Sequence, residues 1–548
     1  MTKKMSKKII SVIMSVVLVA LCLTPAFAAT KKVNPILVIS GFSQYKFVDT
    51  ASGKQVWTPE ASILTDAITR ALPPLATLLA SGRTKADYDK FVDDAEGPLM
   101  DVLKYVAVNP DAEPANKNVK LIDQFTGPVS DYDYDWVKTV FENDIVDIVC
   151  NAVGRENVWV YGLDWRVDPL VLADEIHEYV ENIKARTGCD KISISGISMG
   201  GIVMSCYLMK YGYEDLSNIT YLSAAFTGLD YVGEMYSGKI KIDPDGLYNI
   251  INQSMHDTTV SDILQKTQIL DMLMPVVDDL IKYESDRLFV EVLVPVFGYN
   301  TGMWSFVPAE YFESAVKFMG ARMNEGSPED RAIFWGKVYD YHNNVQTKIG
   351  DFLKQAQADG VTVSVVSHYN MQMPPVSPAS FRQGDQVIET RHTSGFATVS
   401  DLGKTLGDNY PVTAHVSIDR MIDANTAFFP NNTWFLKDVQ HVGFSNKSSR
   451  DNGAFFGWIL TQEGTDVYTD NRFPQFMQYF PTDYELHPIG DADGNFKLSV
   501  ADVKLVLKSV SGLTTLTELQ SRMSEINGDS KVSLVDARLI LQSLASNA

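Results

Sequence analysis

Residues 191–210 read KISISGISMGGIVMSCYLMK. The alternating β-branched run Lys191–Ser195 predicts a strand, and the apolar run Gly201–Lys210 predicts a helix. Between them lies Gly196-Ile-Ser198-Met199-Gly200, the chain's one G-x-S-x-G. A strand, a sharp turn and a helix around a serine are the setting of a nucleophile elbow, which lifts the hydroxyl above the edge of a sheet. Side chains two residues before and two after that serine would strike backbone, hence glycine at 196 and 200. Gly201 allows close helix–sheet packing. The helix also turns its N-terminal dipole toward the serine, which favours developing negative charge. A glycine-rich turn carrying a bystander serine has the same letters, so the flanking strand and helix decide between the two readings.

The pattern continues outward from this point. Strands are expected at Pro35–Ser40 (PILVIS), Val158–Tyr161, Ile219–Phe226 and Val361–Ser367. Helical spacing covers about 60–106, with breaks at Pro73-Pro74 and Gly82, and Leu170–Ile183. Such alternation predicts an α/β fold with a parallel sheet. The gap of roughly 130 residues before Val361 is too long for a loop and predicts a helical cap over about 228–358. Its apolar stretches Leu270–Pro275 and Gly302–Phe306 suit a lid, although Met and aromatic residues at helical spacing are also ordinary core.

Composition sets the outer limits. The 548 residues are 45% hydrophobic and 21% charged, so a large core is possible and wholesale disorder is excluded. The formal charge of −21 argues against nucleic acid and against electrostatic adhesion to anionic membranes. Lys3, Lys4, Lys7 and Lys8 precede an apolar run from Ile9 to about Leu23, and Ala26-Phe27-Ala28 follows. These are the parts of a secretory signal over 1–28, with cleavage before Ala29. Loss of its four lysines leaves 43 basic against 68 acidic side chains, about −25. Elsewhere no apolar run of 18 or more appears, so an exported chain that is not an integral membrane protein is expected. Cys150, Cys189 and Cys206 remain, too few for a disulfide scaffold.

A nucleophilic serine needs a base, and the base an orienting acid, in the chain order Ser, acid, His. His177 precedes the serine, His256 and His342 fall in the cap, and His487 abuts the C-terminal segment. His368, His392, His415 and His441 remain as candidates, of which His441 sits in a late loop able to reach back to the elbow. For the acid, Asp385 follows the strand at 361–367 and a proline-rich loop, with Asp230 and Asp401 as alternatives. An oxyanion hole needs two backbone N–H groups. Met199, just after the serine, would supply one. Phe42, in the Gly41-Phe42-Ser43 turn after PILVIS, would supply the other.

Tyr161-Gly-Leu-Asp164-Trp165-Arg166, followed by a helix and the serine elbow, resembles the lecithin:cholesterol acyltransferase-like branch of the α/β-hydrolase lipases. Asp385-Gln-Val-Ile388 is similar to that family's acid turn, with Gln386 in place of glycine. Asn432–His441 is similar to its histidine segment. The likeness spans most of 35–460, strongly only in these islands; Ile197 departs where lipases often carry histidine, and no histidine precedes Gly41-Phe42. The resemblance implies an α/β-hydrolase fold over 29–485 with Ser198, Asp385 and His441 as catalytic residues. It needs no cofactor for catalysis. The implied chemistry is ester hydrolysis through an acyl-enzyme, on a lipid or an esterified polysaccharide. An alcohol acceptor would make it an acyltransferase, and a chain with an idle site would be a scaffold.

Near His487 the sequence changes character. KLVLKSV (504–510) and RLILQSL (538–544) repeat one helical pattern 34 residues apart. Asp491, Asp493, Asn495, Lys497 (through its carbonyl), Ser499 and Asp502 stand at calcium-loop spacing, and Glu525, Asn527, Asp529, Lys531, Ser533 and Asp536 repeat it in register. Phe496 and Ser530 replace the sixth-position glycine, and Glu525 the usual first Asp. The segment 486–548 resembles a type I dockerin. That resemblance implies a small all-α module binding Ca²⁺, more weakly at the second site, and a cohesin-bearing scaffold protein as partner for a secreted enzyme. Residues 486–548 hold seven acidic and six basic side chains, so the net negative charge belongs almost wholly to the preceding domain.

Overall fold

Eight short, apolar segments come together as one sheet in the computed structural model. It describes residues 33–546 except 58–60, 123, 142–143, 255–265, 267–268, 408, 442, 444–453 and 481–484. The expected signal segment and His256 lie outside the described residues. In chain order the strands are β1 (Ile36–Ile39), β2 (Val158–Tyr161), β3 (Ile192–Ile197), β4 (Leu216–Leu222), β5 (Thr362–Tyr369), β6 (Thr433–Lys437), β7 (Phe476–Phe480) and β8 (Glu485–Pro488). Their spatial order is β8-β7-β6-β5-β4-β3-β1-β2. Every neighbouring pair is parallel except β7 with β8.

Burial on both faces explains why these strands read as nearly continuous apolar runs. Alternate residues feed two cores. Leu37, Ile39, Ile194, Ile219 and Val363 face the helices Pro169–Thr187 and Met199–Tyr211 and much of the insertion. Ile36, Val38, Ile197, Val366 and Trp434 face the helices Ile145–Val153 and Ala454–Thr461. Asp168 caps the helix that starts at Pro169, and Gly188 ends it in the left-handed region.

The insertion between β4 and β5 is helical, as its length requires. It carries Asp230–Tyr236, Pro244–Ser254, Ile269–Leu288, Phe312–Gly320 and Pro328–Tyr341. Its final helix, Ile349–Ala358, is the crossover that returns the chain to β5 and packs on the sheet. The 358 boundary therefore includes framework as well as cap. Gly302–Phe306 is not a loose flap, since Trp304 and Phe306 are buried in the same core as the sheet. Two further helices, Ala61–Ala80 and Lys85–Leu103, lie between β1 and β2, and Leu78 and Tyr88 pack with Val276 of the insertion. The break expected at Pro73-Pro74 does not occur. The helix runs through both prolines, where Thr77 Oγ1 donates to the Pro73 carbonyl at 2.9 Å, and the interruption comes only at Gly82.

After β8 come the helices Val500–Val510, Glu518–Ser524 and Leu534–Ser546. The boundary expected at 485/486 falls inside β8, a strand of the main sheet. Ile489, Ala492, Val503, Val506, Ile526 and Ile540 share one hydrophobic cluster with Tyr369, Phe435 and Phe476 of β5, β6 and β7. Cys150, Cys189 and Cys206 are buried free thiols. No described helix is long and apolar enough to cross a membrane.

Candidate active site

Ser198 immediately follows β3 and precedes the helix Met199–Tyr211, with φ 52° and ψ −122°. That left-handed backbone is strained for a residue bearing Cβ. It is held by its own amide donating to the Leu222 carbonyl at 3.1 Å, and by its carbonyl accepting from Gly201 and Ala225. The glycines are there because the backbones meet. A Cβ on Gly200 would lie 2.5 Å from the Ile39 and Ser40 carbonyl oxygens, and one on Gly196 2.6 Å from Gly201 Cα.

Two and three strands away from β3 in the sheet, the segments after β5 and β6 come together. His441 Nδ1–H donates to Asp385 Oδ2 at 2.8 Å, and the His441 amide donates to the Asp385 carbonyl at 2.9 Å. Asp385 Oδ1 accepts from the amides of Val387 (2.9 Å) and Ile388 (2.7 Å). Gln386 adopts φ 80°, so the position that carries glycine in the family resembled does require a left-handed residue here. Burial of Asp385 works against its charge. The His441 imidazole, with His368 and the Ile388 amide behind it, more than offsets this and holds the carboxyl below its ordinary value. Ser198, Asp385 and His441 thus all follow C-terminal ends of strands in the parallel part of the sheet, in chain order Ser, Asp, His.

The turn after β1 closes over the elbow. A Cβ on Gly41 would stand 2.7 Å from Ser198 Cβ, and the Gly41 amide donates to Gln44 Oε1 at 2.7 Å. Neither the Phe42 nor the Met199 amide is committed to another described residue. The Phe42 ring packs on Trp165 at 4.6 Å and Phe306 at 6.4 Å, and Trp165 in turn meets Phe297 and Trp57. The insertion therefore supplies part of an aromatic wall beside the serine turn. Trp165 is fixed by its neighbour Arg166, whose guanidinium grips Asp164 with two hydrogen bonds (2.9 and 2.7 Å) and donates to the Val119 carbonyl at 2.9 Å.

The other described histidines are occupied elsewhere. His177 stacks on Tyr211, His342 stacks on Phe312, and His415 bonds Gln475. His392 is fully buried between Thr227 Oγ1 (2.8 Å) and Asp230 Oδ1 (3.1 Å). Asp230 also pairs with Arg382 and Arg391, and Arg391 with Glu310. Asp230, Glu310 and His392 could geometrically gather round a metal ion, but the two arginines already neutralise them. Asp401 pairs with Lys404 at the surface.

Two residues beside the pair carry no motif that sequence reading could have found. His368, on β5, joins Ser223 Oγ (3.1 Å), one residue past β4, to the Gln440 carbonyl (3.1 Å) next to His441. Burial first, and the nearby His441 with it, push His368 down to about 4 against the pull of Asp385, so it stays neutral at pH 7. Glu389 is buried four residues after Asp385; its Oε2 accepts from the Asp230 amide at 3.2 Å and Oε1 has no partner. Burial raises it to about 7 despite Arg382.

In the C-terminal module, one ligand atom from each of Asp491, Asp493 and Asp502 lies within 4.8 Å of the others. All are hard oxygen donors of the kind calcium takes. Glu525, Asp529 and Asp536 do not converge in this way, although Ser533 and Asp536 (2.8 Å) repeat the Ser499–Asp502 bond (2.7 Å). Phe496 and Ser530, at the glycine position, adopt φ 65° and 62°.

Fold and site together define an α/β protein with a large, mostly parallel eight-stranded sheet flanked by helices, consistent with an α/β-hydrolase-like fold. No protein-family model matches the chain, and no curated protein matches it. Among solved structures it is similar to a chain described as "The crystal structure of Tle4-Tli4 complex", at 12% identity over 61% of this chain and 74% of that one. The TM-score is 0.27, too low to carry an argument.

Proposed function

We propose that the chain is a secreted serine esterase or lipase of the α/β-hydrolase class, carrying a calcium-binding, dockerin-like C-terminal module. The observation that carries the enzymatic part is the Asp385–His441 pair, set at the same sheet edge as a serine on a strained strand-to-helix turn. In this reading His441 Nε2 takes the Ser198 proton as Oγ attacks the ester carbonyl. Asp385 fixes the tautomer and stabilises the imidazolium. The amides of Phe42 and Met199 receive the developing oxyanion. His441 then returns the proton to the leaving alcohol, and water resolves the acyl-enzyme by the same route. The aromatic wall of Phe42, Trp165 and Phe306 favours an apolar acyl group on a lipid or an esterified polysaccharide.

For the module, the Asp491–Asp493–Asp502 cluster supports a first calcium site, completed by Asn495, Ser499 and the Lys497 carbonyl. The second loop would hold its ion more weakly. Val500 and Leu507 are exposed, as are their counterparts Leu534 and Leu541 one repeat later, and they would face a cohesin-bearing partner.

A p-nitrophenyl ester panel of increasing acyl length, run with and without alcohol acceptors, tests the chemistry. Hydrolysis lost in Ser198→Ala and fluorophosphonate labelling of Ser198 are expected. An unreactive serine with no ester turned over would overturn the reading.

A further inference from the structure

The calcium-loop module joins the sheet without a linker. β8 pairs antiparallel with β7, Gln478 opposite His487 and Met477 opposite Pro488. The Asp491 amide then donates to the Pro488 carbonyl at 3.1 Å, so only Ile489 and Gly490 separate sheet from loop. The residue that closes this corner is His487. Its Nδ1 lies 2.9 Å from Asp491 Oδ2, the carboxylate at the loop's first position. Its ring stacks on Phe496 with centroids 4.3 Å apart and planes 14° from parallel. The same ring also meets Phe480 of β7 edge-on, with centroids 5.8 Å apart.

Phe496 is therefore more than a tolerated departure. It accepts a left-handed backbone, disfavoured by about 1–2 kcal/mol for a residue with Cβ, at a position where glycine would be unstrained. In return its ring closes the contact between loop and sheet. Asp491 Oδ2 also accepts from the Phe496 amide at 2.8 Å and Oδ1 from the Asn495 amide at 3.0 Å, so the first loop position, Phe496 and His487 form one unit. Below them the cores are continuous: Ile489, Ala492, Val503 and Val506 pack in one cluster with Phe435 and Phe476.

We propose that the module is a calcium-dependent brace of the hydrolase sheet: an ion held in the first loop is coupled, through Asp491, His487 and Phe496, to the stability of the domain that carries Ser198, Asp385 and His441. The proposal rests on the calcium reading of that loop. Coupling of this kind follows from linkage, since a ligand bound only by the folded state stabilises everything that unfolds with its site.

The chain offers a domain-specific reporter. All eight tryptophans precede residue 486, so tryptophan fluorescence follows the hydrolase alone. With the full-length protein, Ca²⁺ binding is measured by calorimetry and unfolding by tryptophan fluorescence. Calcium at about 100-fold excess over its dissociation constant should raise the tryptophan-detected Tm by about 2–3 °C. Asp491→Asn should abolish that rise, whereas Asp529→Ala, in the second loop, should keep most of it. Phe496→Gly should bind Ca²⁺ within about threefold of the parent while losing half or more of the rise. Calcium that binds in the calorimeter but leaves the tryptophan-detected Tm unmoved overturns the brace and leaves the calcium reading standing. Absence of any binding heat, with Tm equally unmoved, overturns both.

Discussion

Replacing Asp385 by asparagine separates orientation of the base from integrity of the fold. In the native site one carboxylate oxygen is taken by the Val387 and Ile388 amides, and the other by His441 Nδ1–H. An asparagine can keep its carbonyl oxygen on the two amides, which turns its NH₂ toward Nδ1. That donor is satisfied only by an unprotonated Nδ1, which moves the imidazole proton to Nε2, the nitrogen that accepts the serine proton in the proposed mechanism. The fold keeps its bonds while the base is presented in the wrong tautomer, and the imidazolium loses its counter-charge. Loss of that pairing in a serine–histidine–aspartate system is worth about 10⁴ in kcat, or ~5 kcal/mol at 1.36 kcal/mol per decade. Asp385→Ala behaves differently. It strands a part-buried amide, a buried amide and an imidazole N–H, the buried groups costing roughly 1–3 kcal/mol each, so it should lower stability as well as rate. The assay is hydrolysis of p-nitrophenyl butyrate with parallel thermal unfolding. An Asn variant within tenfold of the parent rate, with an unchanged Tm, would refute the assignment and return attention to Asp230 and Asp401.

Other consequences can be checked on the same protein. Ser198→Gly should abolish turnover yet raise the melting temperature, because it releases backbone strain of about 1–3 kcal/mol at φ 52°; a fall in Tm would mean that the turn is not strained. Gly200→Ala should lose soluble protein or melt far below the parent, its Cβ lying 2.5 Å from two carbonyl oxygens. Gly336→Ala, in the helix Pro328–Tyr341 where a Cβ meets nothing within 4 Å, should gain about 0.5–1 kcal/mol in denaturant titration. Glu389, raised to about 7 in the fold against 4.5 as its ordinary value, is neutral when folded and ionised when unfolded between those limits. The unfolded state there binds fewer protons, so this group's contribution to stability falls as pH rises from about 4.5 to 7. Glu389→Gln should therefore gain on the parent by up to ~3 kcal/mol between pH 5 and pH 8 in urea titrations, and a constant difference would rule the titration out.

The parts of the molecule legible in the sequence are those governed by local sterics. KISISGISMGG predicts β3, the turn and the helix because backbone crowding leaves glycine no substitute at 196 and 200. The strands at 35–40, 158–161 and 361–367 stand out because burial on both faces makes them continuous apolar runs. Pairings made across the chain were not legible. Asp230 and Asp385 both bond a buried histidine, and only the fold shows that Asp230 is also neutralised by Arg382 and Arg391. His368 reads as one histidine among several until β5 sets it between Ser223 and the Gln440 carbonyl. Repeat spacing places the module boundary at 486, whereas the hydrogen bonds of Leu486 and His487 assign those residues to the sheet. Pro73-Pro74 marked a break that its helix did not need.

The last strand also determines where this chain can be cut. β8 covers the outer side of β7, and without it the row of hydrogen-bonding groups from Met477 to Phe480 would face water. Removing everything from residue 486 onward would also strip the cover from Phe435 and Phe476. An open edge beside exposed aromatic side chains is a template for intermolecular strand addition. Grafting the module elsewhere, or excising it to simplify the chain, would thus trade a covered edge for a self-associating one. A shortened chain meant to lack the terminal loops keeps its sheet edge only if it ends after Pro488, and it still leaves Phe435 and Phe476 without the cover of Ile489, Ala492, Val503 and Val506.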